Sequence, residues 1–343
     1  MYLILLVFCS FYLKNGVSKI TAAAILPHGD FAYDPSLVNY ENGSAQLHNA
    51  SLLVGEWIDN IIQPDLIFLS TPHGMELTRD FLIYSNTNDS GYAVIGDNTI
   101  FLNKNNLPST QSDISNFRQL KTNVDAANGL IQHLLDANSN NNITGMIGFA
   151  DSIPLFISWG ELIPTSFLNG LSNSTREYII FSQPLRRYNN SVQMIPELLS
   201  VGGQIFSFFE TNSLVKDLNV LVLISADLAH THLSNGPYGY CTCAEPYDMF
   251  ISKWVQSMNR TYLLTGAAQE QSLGAMSCGF TGFVLLQGMF DESIKTNTTN
   301  QIHEKLLDYK FFFFFFSQIG SNFKEKKVSD WKEHKKKIGK HNK

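Results

Sequence analysis

Short apolar runs alternate with helical patterns along most of the chain, and this alternation limits the fold more than any other feature. Several runs are apolar at every position, as expected of strands that are buried on both faces of a sheet. The predicted strands are residues 20–26, 65–69, 92–102, 144–149, 178–182 and 220–225. Alternating strands and helices predict an α/β fold, and we expect a single domain with a central, mostly buried sheet flanked by helices.

Helical patterns fill the intervals between these strands. In residues 44–62 and again in residues 112–136, apolar side chains recur at a spacing that places them on one face of a helix. Further helices are predicted near residues 197–212, 247–264 and 281–290. The sequence has no internal repeat of domain size, so one large core is expected rather than an array of small units.

The amino terminus has the features of a secretion signal. An apolar run at residues 2–13 is too short to span a bilayer but has the length of a signal-peptide core. Small residues follow at 16–18, so residues 1–18 are predicted to be a signal peptide. Eight Asn-x-Ser/Thr sites further along the chain agree with this route and predict a glycoprotein. We therefore expect a protein that is secreted or lies in an endomembrane lumen; without the signal it would be cytoplasmic.

The carboxyl terminus, residues 310–343, differs from the rest of the chain. It contains six consecutive Phe, which fit no amphipathic period, and continues into a Lys-rich stretch. We expect it to lie outside the fold, which leaves residues 19–309 as the folded domain. Residues 318–343 have a net charge of +6, and since the whole chain is −6 the remainder is −12. Such an acidic body argues against nucleic acid as a partner, and membrane contact is expected only through the basic, aromatic tail.

The four cysteines, Cys9, Cys241, Cys243 and Cys278, are too few for a disulfide scaffold in a chain of 343 residues. Cys241 and Cys243 are only two positions apart, so a bond between them is expected to be strained. We interpret them as ordinary small residues or as a minor redox pair. Cys278 differs because it is followed by a glycine and a predicted helix.

Three of the nine histidines, His28, His73 and His230, come a few residues after the first, second and last predicted strands. In open α/β sheets, ligands bind at the carboxyl ends of the strands. A Pro before His28 and before His73 ends the strand, and a Gly after each leaves room beside the imidazole. Two imidazoles from separate strand ends supply half of a typical Fe, Zn or Cu site. His230 is then a further ligand or an acid/base group, and Asp227 could accept its Nδ1–H and fix its tautomer.

Three sequence blocks that contain these histidines resemble a known family. The blocks are Leu-Pro-His-Gly-Asp, Ile-Phe-Leu-Ser-Thr-Pro-His-Gly, and Ser-Ala-Asp-Leu-Ala-His with Gly-Pro-Tyr-Gly after it. In this order they are similar to the class III extradiol ring-cleavage dioxygenase family, over about residues 20–290. The family includes protocatechuate 4,5-dioxygenase, plant DOPA dioxygenases and the Memo proteins. The resemblance implies that His28 and His73 bind a metal and that His230 is the acid/base.

The third ligand is where members of this family differ. Ring-cleaving members of the protocatechuate type use a glutamate late in the chain. Here that region reads Ser-Cys-Gly-Phe at residues 277–280, which resembles the Cys-Gly of Memo-type proteins, whose cysteine joins the two histidines at the metal. The resemblance therefore implies Cys278 as the third ligand. A buried structural cysteine is the alternative interpretation, and Glu270 is a weaker candidate ligand.

Two functions remain open at this point. The first is an extradiol dioxygenase-like enzyme that uses Fe²⁺ and O₂ to open the ring of a small phenolic or catecholic substrate, in aromatic compound catabolism. The second is a Memo-like metal protein that acts as a binding or redox module without ring cleavage. A thiolate ligand would also suit Zn or Cu, because it is softer than a carboxylate. Neither the substrate nor the oligomeric state follows from the sequence.

Overall fold

The computed structural model describes residues 4–10, 20–41, 43–91, 93–95, 98–100, 119–138, 142–148, 153–168, 176–296 and 313–316; of 4–10, 93–95, 98–100 and 313–316 it describes the backbone only. The strands are β1 (Ile4–Ser10), β2 (Ile20–Leu26), β3 (Leu66–Thr71), β4 (Phe81–Tyr84), β5 (Asn88–Gly91), β6 (Ala93–Ile95), β7 (Asn98–Ile100), β8 (Gln119–Lys121), β9 (Ile143–Met146), β10 (Leu155–Ile157), β11 (Glu177–Ser182), β12 (Val220–Ser225) and β13 (Phe313–Phe316).

The α-helices are α1 (Asp30–Tyr33), α2 (Ser44–Trp57), α3 (Val124–Ala137), α4 (Trp159–Ser166), α5 (Arg187–Asn190), α6 (Ile195–Thr211), α7 (Ala244–Ser257), α8 (Ala268–Glu270) and α9 (Phe280–Thr296). A 3₁₀ turn covers Pro35–Val38, and π-helical turns cover Ile58–Ile62, Tyr262–Ala267 and Gln271–Ala275. The protein is therefore a mixed α/β structure, as the sequence predicts.

The main sheet has the strand order β13-β1-β2-β12-β3-β11-β4-β9. Four neighbouring strands, β2, β12, β3 and β11, are parallel to one another. On the outside, β1 runs antiparallel to β2 and β4 runs antiparallel to β11. A three-stranded sheet, β10-β5-β8, and the pair β6-β7 lie apart from this order. The parallel arrangement brings the carboxyl ends of β2, β12 and β3 side by side at one edge.

Successive side chains of the central strands enter two different cores, because the strand period of two sends them to opposite faces. Val222 and Ile224 of β12 belong to the larger core, which α6, α7 and α9 cover. Leu221 and Leu223 belong to the smaller core, which α2 and α4 cover. All six residues of β12 are buried. Continuous apolar runs are therefore explained by burial on both faces.

Most of the predicted strands are confirmed, including 20–26 and 220–225 at both ends. The prediction of one strand at 92–102 is wrong, because β6 and β7 are two short strands that pair antiparallel with each other. Gly96 and Asp97 separate them in the sequence, and these residue types favour a tight hairpin turn.

The predicted helix at 112–136 begins later than expected. Residues 119–121 form β8, and α3 starts at Val124. Asn123 is its N-cap, since its side chain accepts a hydrogen bond from the Ala126 amide at 2.9 Å. Residues 112–118 of this prediction lie outside the described residues. The predicted helix at 247–264 also stops early, because Met258 takes a left-handed conformation after α7.

The chain ends contribute two outer strands. β13 pairs antiparallel with β1, and β1 pairs antiparallel with β2. The other residues of 1–18 and of 310–343 lie outside the described part of the chain. A cleaved signal peptide and a tail outside the fold therefore stay predictions. In the part of the chain that the structure describes, none of the helices has the length and apolar character needed to cross a bilayer.

Candidate metal centre

Three histidines and one aspartate lie at the carboxyl edge of the parallel strands. His28 follows β2, Asp227 and His230 follow β12, and His73 follows β3. The spatial order β2-β12-β3 makes these strands direct neighbours. Side chains from three separate parts of the chain therefore meet at one edge of the sheet, where ligands bind in open α/β folds.

His28, His73 and Cys278 come together at this edge. The rings of His28 and His73 are in edge contact, with ring centroids 4.7 Å apart. Nε2 of His28 lies 3.1 Å from Sγ of Cys278. One ligand atom from each of the three residues lies within 4.8 Å of the other two. The residues that the family resemblance implies as ligands are thus close enough to bind one ion.

Cys278 reaches the site because the start of α9 packs closely on the loop after β12. The backbone carbonyl of Asp227 accepts hydrogen bonds from the Ser277 hydroxyl at 2.8 Å and from the Gly279 amide at 3.2 Å. A Cβ atom at position 279 would lie 2.7 Å from the Ala226 side chain and 2.8 Å from the Asp227 carbonyl oxygen. Glycine at 279 therefore permits the approach that places the cysteine beside the histidines.

A second set of donors shares Cys278. Ligand atoms of Asp227, His230 and Cys278 lie within 4.8 Å of one another, and Nε2 of His230 is 3.7 Å from Sγ. The Asp227 carboxylate accepts a hydrogen bond from the backbone amide of His28 at 3.2 Å, and its other oxygen is 3.4 Å from Nε2 of His28. Among the contacts of the described residues, no hydrogen bond joins Asp227 to His230. Asp227 therefore supports His28 directly, whereas the sequence suggested a pair with His230.

Burial sets the protonation states of the three central donors. It lowers the pKa of His73 to about 2 and also lowers the pKa of His28, because a buried imidazolium loses its hydration. It raises the pKa of the Cys278 thiol well above its ordinary value, and the Asp227 carboxylate adds to this effect. Both imidazoles are thus neutral donors at neutral pH, while the thiol keeps its proton until a cation replaces it.

A divalent metal ion fits this donor set. An ion about 2.1 Å from a histidine nitrogen and about 2.3 Å from a thiolate sulfur, at angles of about 90–110°, separates those atoms by about 3.1–3.6 Å. The 3.1 Å between His28 and Cys278 agrees with this range. A carboxylate oxygen of Asp227 faces the same imidazole nitrogen, so lone pairs outnumber protons there. Glu270, the weaker candidate from the sequence, belongs to neither donor set of the described residues.

A cavity of about 520 Å³ opens beside these donors, and its lining includes His28, His73 and His230. The Trp159 ring lies against the His73 ring with centroids 5.3 Å apart, and the Tyr238 ring lies against the His230 ring at 5.0 Å. Trp159 and Tyr238 both line the cavity, and about half of each is exposed. The cavity therefore offers aromatic faces next to the metal-binding groups, which suits a planar apolar ligand.

The sequence analysis missed a group of polar residues that contact the histidines through α4. Ser225 hydrogen-bonds the His28 ring, and Ser158 hydrogen-bonds the backbone of His73. Burial raises the pKa of the Glu161 carboxyl to about 8, although a hydrogen bond from the Ser158 amide opposes the shift. Ser158 and Glu161 form a capping box at the start of α4. The Ser-x-x-Glu spacing is the sequence signal that could have found them.

Asp248 is a second residue that the sequence analysis missed. Its carboxylate accepts a hydrogen bond from the Ala229 amide at 3.0 Å, next to His230, and lies 2.9 Å from Nε2 of His232. Burial raises the pKa of Asp248, and the hydrogen bond with His232 opposes that shift. Asp248 also lines the cavity. It therefore fixes the loop that carries His230.

A disulfide joins Cys241 to Cys243 just before α7. The sequence left these residues as small side chains or a redox pair, and the structure pairs them. The Cys241 amide donates to the Thr231 carbonyl at 2.8 Å, which closes the loop that contains Tyr238. Cys278, by contrast, is a free cysteine. The three cysteines thus divide into one bonded pair and one thiol at the donor cluster.

Comparison with known proteins gives little guidance. No protein-family model matches the chain, and no curated protein matches it. Among solved structures, one similar chain is described as "uncharacterized protein JW3007 from Escherichia coli K12". It is 10% identical, with a TM-score of 0.39, and the match covers 71% of this chain and 82% of that one. At this level the likeness carries no argument about function.

Proposed function

We propose that this protein is an extradiol dioxygenase-like oxidoreductase that opens a catechol-type ring beside its hydroxyl groups. In this proposal His28, His73 and Cys278 hold Fe²⁺, with Zn or Cu as alternative occupants. The supporting observation is the meeting of two neutral imidazoles, a thiol and a further histidine at one aromatic cavity. When bound, Fe²⁺ would supply coordination positions for the two diol oxygens and for O₂.

His230 is the group placed to take a proton from the diol. Its Nε2 atom lies 3.7 Å from Sγ of Cys278, on the side of the ring that faces the ligand atoms. Its backbone amide donates to the Ala275 carbonyl at 3.0 Å, and Tyr238 packs on its ring. The imidazole is thus held beside the cavity by contacts that leave Nε2 accessible. General acid–base catalysis of this kind contributes about 10²–10⁴-fold to a rate.

The lining of the cavity indicates which catechols would bind. Phe31, Trp159 and Tyr238 provide apolar faces, and Asp30 and Asp227 provide carboxylates. Among the described lining residues, none is Lys or Arg. An anionic substituent would therefore meet carboxylates without a cation to pair with. We expect neutral or amine-bearing catechols to be preferred over catechols that carry a carboxylate.

A Memo-like metal protein without ring cleavage is the second candidate, and Cys278 is the observation that favours it. Its sulfur occupies the place where a ring-cleaving member of the protocatechuate type would need a carboxylate. A thiolate suits Zn and Cu, and it can be oxidised beside activated O₂. This candidate predicts a tightly held metal together with no oxygen consumption on any catechol.

One experiment separates the two candidates. The protein would be purified without added metal, its metal content measured, and O₂ uptake followed on a panel of neutral, amine-bearing and carboxylated catechols with iron restored. Uptake that His230→Ala abolishes without loss of metal would support ring cleavage. Stoichiometric metal without uptake would favour the Memo-like candidate. A protein that binds no divalent metal at any pH would contradict both.

The proposal also includes passage through the secretory route. Among the Asn-x-Ser/Thr sites that the structure describes, Asn49, Asn189 and Asn259 are exposed, so a glycan could be attached to each without unfolding the chain. Expression in a eukaryotic cell should then give a secreted protein whose mass falls on treatment with an endoglycosidase. Amino-terminal sequencing of that protein tests cleavage after Ser18. An unglycosylated intracellular product would contradict this part of the proposal.

A further inference from the structure

The first turn of α4 contacts both metal-binding histidines, although it supplies none of the ligands. The Ser158 hydroxyl donates to the backbone carbonyl of His73 at 2.8 Å. The Gly160 carbonyl accepts a hydrogen bond from the Ser225 hydroxyl at 2.6 Å, and Ser225 Oγ lies 2.8 Å from Nδ1 of His28. One helical turn is therefore linked to His73 through its first residues and to His28 through a single intervening hydroxyl.

The hydroxyl of Ser225 determines which nitrogen of His28 carries the proton. A carbonyl oxygen can only accept, so the one hydroxyl proton of Ser225 must point to Gly160. The remaining lone pairs of Ser225 face Nδ1 of His28, which must therefore donate. The neutral imidazole then carries its proton on Nδ1 and leaves a lone pair on Nε2. That lone pair is on the nitrogen 3.1 Å from the Cys278 sulfur.

Close backbone contacts hold this turn against the loop after β3. A Cβ atom at position 160 would lie 2.6 Å from the Thr71 hydroxyl oxygen and 2.8 Å from the His73 Cβ atom. A Cβ atom at position 74 would lie 2.6 Å from Oε1 of Glu161. Glycines at both positions therefore allow the turn and the loop to approach more closely than any larger residue would permit.

Glu161 closes the arrangement from below the turn. It is fully buried, and its carboxylate accepts hydrogen bonds from the Ser158 amide at 2.9 Å and from the Tyr84 hydroxyl at 3.2 Å. The same Tyr84 oxygen accepts a hydrogen bond from the Met75 amide at 2.6 Å. Met75 is two residues beyond His73, so Glu161 connects the helix start to the segment that carries the second ligand.

We propose that the Ser158–Glu161 turn and Ser225 form a positioning device that presents Nε2 of His28 and the imidazole of His73 to one metal ion. The inference rests on the proposed metal centre. Ser225 is the member with the most specific role, because it selects the tautomer of His28. Partners of this kind commonly change metal affinity by about 10–100-fold when they are removed.

The first measurement needs no substitution. Nitrogen-15 NMR of the metal-free protein, labelled at histidine and assigned by comparison with His28→Ala, reports which ring nitrogen of His28 is protonated. The expected result is a proton on Nδ1. A proton on Nε2 would overturn the inference, whether or not the protein binds metal, whereas the absence of metal binding would count against the proposed function alone.

The second measurement compares Ser225→Ala, Ser225→Thr and Ser51→Ala. Ser51 is a matched control, because it is also fully buried and its hydroxyl also donates to a backbone carbonyl, that of Leu47 at 2.9 Å. Ser225→Ala should weaken Zn²⁺ binding about 10–100-fold and lose the fixed Nδ1–H tautomer. Ser225→Thr should restore both, and Ser51→Ala should change neither.

Cobalt binding distinguishes a positioning role from a general loss of stability. The thiolate absorption band of the Co²⁺-loaded protein reports how Cys278 and the histidines share the ion, so Ser225→Ala should shift or weaken it. If that variant kept the parent band, affinity and tautomer, the inference would be overturned. Glu161→Gln gives an independent test should Ser225→Ala fold poorly: it should retain the Tyr84 contact but perturb the capping box, and an unchanged cobalt spectrum and affinity would count against the turn.

Discussion

The carboxyl edge of the parallel strands and the three-stranded sheet β10-β5-β8 both bury ionisable side chains, but they do so differently. At the edge of β2, β12 and β3, several donors converge on one another beside a cavity. In the three-stranded sheet, Asp89 of β5 is fully buried, and its Oδ2 atom accepts a hydrogen bond from Thr122 at 2.6 Å. Its Oδ1 atom has no hydrogen-bond partner among the described residues.

Burial acts on both regions by the same physics. It lowers the pKa of His73 to about 2 and raises the pKa of Asp89 to about 7, in each case because the charged form loses hydration. A shifted pKa therefore does not by itself distinguish a site from a structural position. The convergence of lone pairs does, since Asp89 belongs to neither donor set of the described residues.

The largest expected effect comes from removing a histidine ligand. His28→Ala or His73→Ala leaves one imidazole and one thiol, which hold a divalent ion poorly. We expect metal affinity to fall by roughly 10³-fold or more, on the scale of about 4 kcal/mol. The measurement is metal content after dialysis together with titration calorimetry. His133→Ala, on α3, is the matched control, and full metal content in either ligand variant would break the distinction between the two regions.

Replacing His230 should affect turnover rather than binding. His230→Ala removes the acid/base but keeps the three proposed ligands, so metal content should stay near that of the parent protein. Ring cleavage should fall by about 10²–10⁴-fold. Rates and metal content would be measured on the same preparation. Loss of metal in this variant would assign His230 to the ligand set instead, together with Asp227 and Cys278.

Cys278→Ser tests whether the thiol is a ligand. Because burial raises the pKa of Cys278, metal binding must displace a proton from it. Affinity of the parent protein should therefore rise about tenfold for each pH unit between about pH 6 and 8, since one proton is released per ion. The serine variant should bind about 10²-fold more weakly and show a nearly flat pH profile, because both histidines are already neutral.

The disulfide cysteines provide the control for this prediction. A double replacement of Cys241 and Cys243 by serine removes the same atoms from a position where they are bonded to each other. Its metal affinity and pH profile should match those of the parent protein. Equal profiles for Cys278→Ser and the parent protein would show that the thiol is a buried structural side chain.

The histidines could be found from the sequence because each depends on local signals. His28 and His73 follow apolar strands and are flanked by Pro and Gly, so their place at the sheet edge needs no knowledge of distant contacts. Cys278 came only from the family resemblance. Its position depends on Gly279 packing against Asp227, and these residues are far apart in the chain.

The supporting residues were beyond sequence reasoning for a similar reason. Ser225 contacts Gly160 across 65 positions and His28 across 197 positions, and no local pattern encodes such contacts. Helix α4 was also missed, because Pro164 lies inside it and Pro normally disfavours a helix interior. The strand order, which decides that β12 lies between β2 and β3, likewise follows from tertiary packing.

The smallest expected effect concerns Asp89 and is a change in stability alone. The folded-state pKa of about 7 exceeds the ordinary value of 3.8, so between about pH 4 and 7 the native protein binds more protons than the unfolded chain. Stability contributed by the neutral carboxyl is therefore fully present below about pH 4 and is lost as the pH rises through 7. Asp89→Asn keeps an acceptor for Thr122 but cannot ionise, so the variant should gain stability relative to the parent protein as the pH rises.

Urea unfolding at pH 5 and pH 8 checks the size and sign of this difference. The shift corresponds to at most about 4 kcal/mol over the whole window, and solvent relaxation around Asp89 should reduce it to about 1–2 kcal/mol. Glu161 titrates in the same direction, but it is present in both proteins, so its effect cancels when the two curves are compared. Metal affinity should be the same in both, because Asp89 supplies none of the donors. A change in metal affinity, or a parent protein that is more stable relative to the variant at pH 8 than at pH 5, would contradict the separation of the two regions.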